Sequence, residues 1–247
     1  MFQSMEFVLI SLFLSVVANH GPADFSTVAN VVTSLPFVAL GLNGIRFFVP
    51  GSRNTAGGKP GMPFVAFVLS LILVGAGSVF YHLLPSTAHL MWDRLPIAMC
   101  LAAFACAIAD AGQGSRIGSA LLVPAMVVSV LSVLYWHLSV TRGHEDLRPY
   151  AAVQVCTVLW AAVAVFRRPA HSNGFGDLRW ALAAYALGRI VELFQQQIYN
   201  KFGLDLGHPL KHLLVAVAAF LIVRALASPM REQPGVTDLQ LETALSD

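Results

Sequence analysis

The chain has 247 residues, of which 57% are hydrophobic and only 11% are charged. Soluble globular domains usually carry about 25% charged residues, so the composition excludes an ordinary soluble domain and predicts an integral membrane protein. The net charge of +2 gives no indication of a nucleic-acid partner.

The N-terminal stretch MEFVLISLFLSVVA allows two interpretations. It is similar to the apolar core of a signal peptide, but no Lys or Arg precedes it and Glu6 is present. An uncleaved additional helix is therefore favoured over a cleaved signal peptide. We assign residues 1–23 to a separate N-terminal hydrophobic segment.

Seven further segments are mostly apolar over roughly 20 residues, the length with which a helix crosses a bilayer. The joints between them are short and contain polar residues, Gly or Pro, so neighbouring helices are expected to run antiparallel in one bundle. Residues 24–227 are thus predicted to form an all-α, seven-transmembrane-helix domain, followed by a polar, disordered tail at 228–247. The predicted spans are 26–48, 62–84, 88–110, 117–138, 149–166, 178–198 and 208–227.

Lysine and arginine are distributed unequally between the two ends of these spans. They are more frequent after spans one, three and five and at the C-terminal end than in the opposite joints. Because positive charge accumulates on the cytoplasmic side, the C-terminus is predicted to be cytoplasmic. His82, Asp93 and His208 then lie toward the outer or lumenal side.

A group of polar residues interrupts the apolar pattern in GAGSVFYHLLPSTAHLMWDRLPI, which joins spans two and three. Ser78 and His82 are four residues apart and therefore share one face of a helix. Pro85 and Ser86 mark a turn, with Ser86 a predicted N-cap of the next helix. Asp93 follows two turns later, so an antiparallel pair of helices brings it level with Ser78 and His82.

Span seven opens with GHPLKHLL, which places His208 and His212 at positions i and i+4. This spacing turns both imidazoles to the same side, as in helical zinc sites. Three histidines with a water in the fourth position form a catalytic zinc shell. Together with His82, the pair predicts a metal site that has a carboxylate and a hydroxyl beside it.

Simpler interpretations of the same residues exist. An HxxxH pair alone is common, a single histidine within a span often hydrogen-bonds a neighbouring helix, and Asp93 could pair with the adjacent Arg94. Ionisable groups within spans are nevertheless costly and usually functional. Both polar clusters also lie at the same predicted membrane end, which favours a metal site.

The motifs GxGSxxYHxxP…WDRLPI, EDLRPY and HPLKHLL resemble the alkaline ceramidase family, part of the wider group of seven-span metal hydrolases that includes adiponectin receptors. The resemblance covers roughly residues 24 to 226. It implies hydrolysis of the amide bond of ceramides, which yields a sphingoid base and a fatty acid. The forms RLPI and EDLRPY are similar to bacterial members, which implies a location in a bacterial inner membrane. With the orientation predicted from the Lys and Arg residues, the metal site then lies toward the periplasm.

The resemblance also implies roles for individual residues. His82, His208 and His212 match the zinc ligands, Asp93 matches the position that activates water, and Ser78 matches the position that assists the oxyanion.

Two regions outside the predicted metal site carry further polar residues. Tyr150 follows the charged residues of EDLRPY and is a candidate substrate-binding residue. Arg189 and Glu192 lie three residues apart within span six, and we expect them to form an internal ion pair.

The segment before the first span differs from that of animal members, which carry a cluster of acidic residues that binds calcium. Here NHGPADFSTVANVVTSLPF offers only Asp24, with Asn19 and Asn30 as weak oxygen donors. A calcium ion normally collects six or more oxygen ligands. We therefore do not expect calcium to act as a cofactor.

The predicted function is a zinc-dependent intramembrane hydrolase that cleaves the amide bond of ceramide-like membrane lipids. The alternative is a non-enzymatic seven-span receptor, or a metal or proton transporter that uses the same His and Asp residues. A transport path needs polar residues across the whole bilayer, whereas here they gather at one end, which favours hydrolysis.

Overall fold

The computed structural model describes residues 25–48, 61–113, 116–169 and 174–227. Within these ranges the chain forms eight α-helices and one 3₁₀ helix and contains no strand, which confirms the all-α fold class. The hydrophobic segment 1–23 and the tail 228–247 lie outside the described residues. The helices are α1 (Phe25–Gly44, continued by the 3₁₀ helix Ile45–Phe48), α2 (Met62–Leu83), α3 (Thr87–Gln113), α4 (Ile117–Thr141), α5 (Arg148–Phe166), α6 (Phe175–Leu193), α7 (Gln195–Phe202) and α8 (Gly207–Ala227).

Six of the described helices are long and apolar enough to cross a membrane: α1 with its 3₁₀ extension, α2, α3, α4, α5 and α8. Large apolar side chains on their outer faces and on that of α6 are exposed, for example Val123 at 69% and Trp180 at 71%. A surface of this kind suits contact with lipid and not with water. The protein is thus a multi-pass integral membrane protein.

The predicted sixth span, 178–198, differs from the structure. Its helix, α6, ends at Leu193, and the short separate helix α7 follows. Within its 19 residues α6 carries four charged side chains, which explains why it is less apolar than the other long helices. It packs along α8 all the same. The charged residues are Asp177, Arg179, Arg189 and Glu192.

Helix α1 has a central place in the bundle because it packs against both α2 and α8, which make few contacts with each other. The start of α1 is also tied to the segment that leads into α8, since Ser26 Oγ donates a hydrogen bond to Asp205 Oδ2 at 3.1 Å. Residues on α2 and α8 can therefore meet across α1.

The α2–α3 pair is held close beside the polar residues of the sequence motif. A Cβ atom added to Gly77 would lie 2.1 Å from the carbonyl oxygen of Trp92, so only glycine permits this approach. The turn between the helices is closed by Ser86, whose Oγ accepts a hydrogen bond from the His89 backbone N–H at 3.1 Å. This bond confirms Ser86 as the N-cap of α3. The His89 ring contacts the Leu84 carbonyl oxygen and so belongs to the same turn.

Candidate metal centre

Three histidines from two helices meet at one end of the bundle. His82 lies in the last turn of α2, and His208 and His212 lie in the first two turns of α8. One ring nitrogen from each residue lies within 4.8 Å of the other two, so the group can hold a metal ion. The ring centroids are 5.0 Å apart for His82 and His208, 5.4 Å for His82 and His212, and 4.6 Å for His208 and His212.

His212 is buried, and its Nδ1 atom faces two hydroxyls of α1. Thr33 Oγ1 lies 3.2 Å from this nitrogen and Ser34 Oγ lies 3.3 Å from it. The ring also makes an edge contact with Phe37, with 6.4 Å between the ring centroids. Helix α1 thus contributes directly to the surroundings of the site.

Ser78 and Asp93 lie together, as the antiparallel packing of α2 and α3 predicts. Ser78 is buried, and its side chain lies beside the partly buried Asp93 carboxyl group. The Ser78 hydroxyl is also 3.1 Å from Ser34 Oγ. Because Ser34 contacts His212 as well, the hydroxyl and the carboxyl group adjoin the histidine cluster.

Arg94 has partners of its own. Its Nη1 atom lies 3.8 Å from Glu145 Oε1, and its guanidinium carbon lies 4.0 Å from the centroid of the Trp136 ring. Trp136 Nε1 donates to the same glutamate oxygen at 3.1 Å. The structure therefore pairs Arg94 with Glu145. An ion pair between Asp93 and Arg94 does not account for the position of Asp93 beside Ser78.

Tyr150 lies in the first turn of α5, against the same group. Its side chain packs on the small apolar cluster around Trp136, and the Arg94 guanidinium carbon is 5.7 Å from its ring centroid. In the preceding loop, Arg148 Nε and Nη2 each donate to the Asp146 carboxylate at 2.9 Å. These bonds hold the pKa of the Asp146 carboxyl group below its usual range.

The structure adds residues that the sequence interpretation missed. Lys211 Nζ lies 3.0 Å from Glu192 Oε1 and 3.2 and 3.3 Å from the two ring nitrogens of His208. The predicted ion pair between Arg189 and Glu192 is confirmed. Glu192 therefore forms ion pairs with two side chains, Arg189 and Lys211. Lys211 is three residues from His208 on the same helix, a spacing that could have indicated its position. For Thr33 and Ser34, no spacing in the sequence indicated their contact with His212.

An apolar cavity lies within the bundle below the site. Its wall includes Val74, two turns before His82 on α2, and Ile97, one turn after Asp93 on α3. Phe37, which contacts the His212 ring, is part of the same wall. The cavity continues away from the histidines along the bundle, toward Phe67, Phe104 and Ile222.

A comparison with protein families matches residues 23–227 to the family model described as Ceramidase. The matched range contains every helix of the structure and all of the residues named at the site. The comparison with curated proteins gives no match.

Proposed function

The chain belongs to the ceramidase family, and on that premise we propose that it is a zinc-dependent hydrolase that cleaves the amide bond of ceramide-like lipids. The products are a sphingoid base and a fatty acid. The observation that carries the proposal is the convergence of three histidines, a carboxyl group and a hydroxyl at one end of a membrane bundle.

The donor atoms fit a zinc ion. The proposed ligands His82, His208 and His212 supply imidazole nitrogens, which zinc accepts readily and with which it forms open catalytic sites. His82 Nε2 is buried and has no hydrogen-bond partner within the described part of the chain, as expected of a nitrogen that binds a metal. When bound, zinc supplies Lewis acidity, which lowers the pKa of a water to about 7.

The proposed roles of Asp93 and Ser78 follow from their contact with each other beside the histidines. Asp93 accepts the proton of the attacking water at a carboxylate oxygen, and the new C–O bond forms at the amide carbon. Ser78 donates a hydrogen bond to the carbonyl oxygen as that atom gains negative charge. Asp93 then returns the proton to the amine nitrogen as the C–N bond breaks.

The surroundings of the site suit a lipid substrate. The apolar cavity below Asp93 and His212 has the lining expected of a site for acyl chains. Tyr150, with Arg94 beside it, is our candidate for contact with the polar part of the lipid.

The main alternative is a metal or proton transporter, or a receptor with a structural metal. Transport across the bilayer needs polar groups below the site as well as around it. The space below the histidines is instead lined almost entirely by apolar side chains, with Tyr185 and Cys100 the exceptions. This lining favours the hydrolase.

The test is to purify the wild-type protein and the His208→Ala, His212→Ala double variant, and to measure zinc content and ceramide hydrolysis. We expect about one zinc per chain and hydrolysis in the wild type, and neither in the double variant, because loss of two of three protein ligands opens the shell. Full zinc occupancy in the double variant would refute the ligand assignment. Zinc binding without hydrolysis of any ceramide in the wild type would favour the receptor.

A further inference from the structure

The back of the His212 ring is enclosed by one segment of α1. The hydroxyl oxygens of Thr33 and Ser34 lie 3.2 and 3.3 Å from its Nδ1 atom. Two hydroxyl oxygens from a single helix therefore face a single nitrogen of a proposed metal ligand.

The position of the protons follows from the acceptors that each hydroxyl meets. Thr33 Oγ1 donates to the Ala29 carbonyl oxygen at 2.7 Å, and the single Ser34 proton has two acceptors, the Asn30 carbonyl oxygen at 2.7 Å and Ser78 Oγ at 3.1 Å. A hydroxyl has one proton and two lone pairs, and a carbonyl oxygen can only accept. Both hydroxyls therefore present lone pairs to His212, and Nδ1 is the nitrogen that carries the proton.

We propose that Thr33 and Ser34 are positioning residues for the metal ligand His212. By accepting the Nδ1 proton, they hold the imidazole in the tautomer whose Nε2 has a free lone pair, which is the form that binds a metal. They also fix the rotation of the ring about its bond to the chain. The inference rests on the proposed zinc site and adds α1 to a site whose ligands come from α2 and α8.

Ser34 also connects His212 to the other half of the site. Its Oγ lies 3.1 Å from Ser78 Oγ, and the Ser78 side chain lies beside the Asp93 carboxyl group. Ser34 is 0% exposed, so solvent does not compete for these bonds. These contacts connect a metal ligand with the proposed general base.

A purely structural role for these hydroxyls has to be distinguished from positioning, because serine and threonine commonly donate to a carbonyl one turn back in a membrane helix. Ser132 in α4 provides the comparison. It is buried and its Oγ donates to the Ser129 carbonyl oxygen at 2.7 Å, yet it lies on a helix that contributes no histidine to the site. Ser132→Ala is thus a matched control for the loss of a buried hydroxyl.

The experiment measures zinc affinity by competition with a chelator for the wild type, Thr33→Val, Ser34→Ala, the Thr33→Val, Ser34→Ala double variant and Ser132→Ala. Loss of a hydrogen-bond partner of a metal-binding histidine typically weakens binding about 10- to 100-fold. We expect a loss of that size in the double variant and unchanged affinity in Ser132→Ala. Thr33→Ser keeps the hydroxyl and should restore wild-type affinity. At saturating zinc, Ser34→Ala should lower kcat and leave KM little changed, because Ser34 is fully buried behind His212 and Ser78.

Wild-type affinity in a folded double variant, with the melting temperature of the metal-free protein unchanged, would overturn the inference. If Ser34→Ala does not fold, the comparison of Thr33→Val with Thr33→Ser decides the matter, because Thr33 is only partly buried. The zinc affinities are measured by chelator competition and do not depend on ceramide hydrolysis. A wild type that binds zinc and hydrolyses no ceramide refutes the proposed function and leaves this test intact.

Discussion

Asp93 and Arg94 are adjacent in the sequence, but their side chains have different partners. Successive residues of an α-helix point about 100° apart, so Asp93 faces Ser78 on α2 while Arg94 faces Trp136 and Glu145. Glu145 and Trp136 compensate the charge of Arg94. The Asp93 carboxyl group is therefore available for a separate role at the histidine cluster.

This separation leads to a prediction for Asp93. Asp93→Asn should keep zinc and the melting temperature, but should lose at least about 100-fold in hydrolysis, since general acid–base groups typically contribute factors of about 100 to 10,000. Ser78→Ala should also keep zinc and lose a smaller factor. The measurements are zinc content, melting temperature and ceramide hydrolysis of the purified variants.

Arg94→Gln is the control for this prediction. It removes the contacts with Glu145 and Trp136, so it should lower the melting temperature more than Asp93→Asn does. Hydrolysis near the wild-type rate in Asp93→Asn would contradict the proposed mechanism, whatever the control shows.

The separation of α2 and α3 depends on a small residue at their closest approach. Replacement of the Gly77 hydrogen by a methyl group would place Cβ 2.1 Å from the Trp92 carbonyl oxygen, and backbone atoms cannot move aside as a flexible side chain can. Close packing of this kind is typical of helix pairs in membranes. At Gly77 it sets the distance between Ser78 on one helix and Asp93 on the other.

Gly77→Ala is therefore expected to destabilise the protein by roughly 1–3 kcal/mol, as overpacking typically does, and to reduce hydrolysis by separating Ser78 from Asp93. Gly61→Ala is a suitable control, because a Cβ there would meet its nearest atoms at 3.6 Å, an ordinary contact. Thermal unfolding in detergent, followed for both variants, checks the prediction. Equal melting temperatures for the two variants would show that α2 and α3 can move apart freely.

The prediction that calcium is not a cofactor depends on the segment before α1. Asp24 and Asn19 lie outside the described residues, and of the three oxygen donors only Asn30 is described, in α1. Because so few oxygen donors are present, calcium should change neither hydrolysis nor thermal stability. A rise of the melting temperature by several degrees in micromolar calcium, reversed by a chelator, would show that this segment binds the ion.

At the scale of the whole molecule, the distribution of positive charge leads to a proposed orientation. Arg116, Arg167 and Arg168 lie at the bundle end opposite His82, as do Arg179 and Arg224. We propose that this end faces the cytoplasm of a bacterial cell and that the histidines lie toward the periplasm.

Reporter proteins fused to the C-terminus test this orientation. A green fluorescent protein fused after residue 247 should fluoresce, whereas alkaline phosphatase at the same position should be inactive, because it requires the oxidising periplasm to form its disulfides. Active phosphatase together with a dark fluorescent fusion would reverse the proposed orientation.

The sequence by itself determined the membrane class, the all-α fold and both polar clusters, because hydrophobicity and helical spacing are local properties. His208 and His212 must share a face at i and i+4, and Ser78 and His82 must do the same, whatever surrounds them. The early end of α6 was not predicted. An apolar pattern shows where a helix can lie in the membrane, but not where its last hydrogen-bonded turn ends.

Only the tertiary structure decided how the two clusters meet. Helices α2 and α8 make few contacts with each other, and α1 joins them by packing against both. Thr33 and Ser34 are 178 or more residues from His212 in the sequence. They are ordinary polar residues within an apolar helix, and no local pattern relates them to a histidine. The pairing of Arg94 with Glu145 likewise depends on the packing of α3 against α4, because the direction of a side chain on a helix is local but the identity of its partner is not.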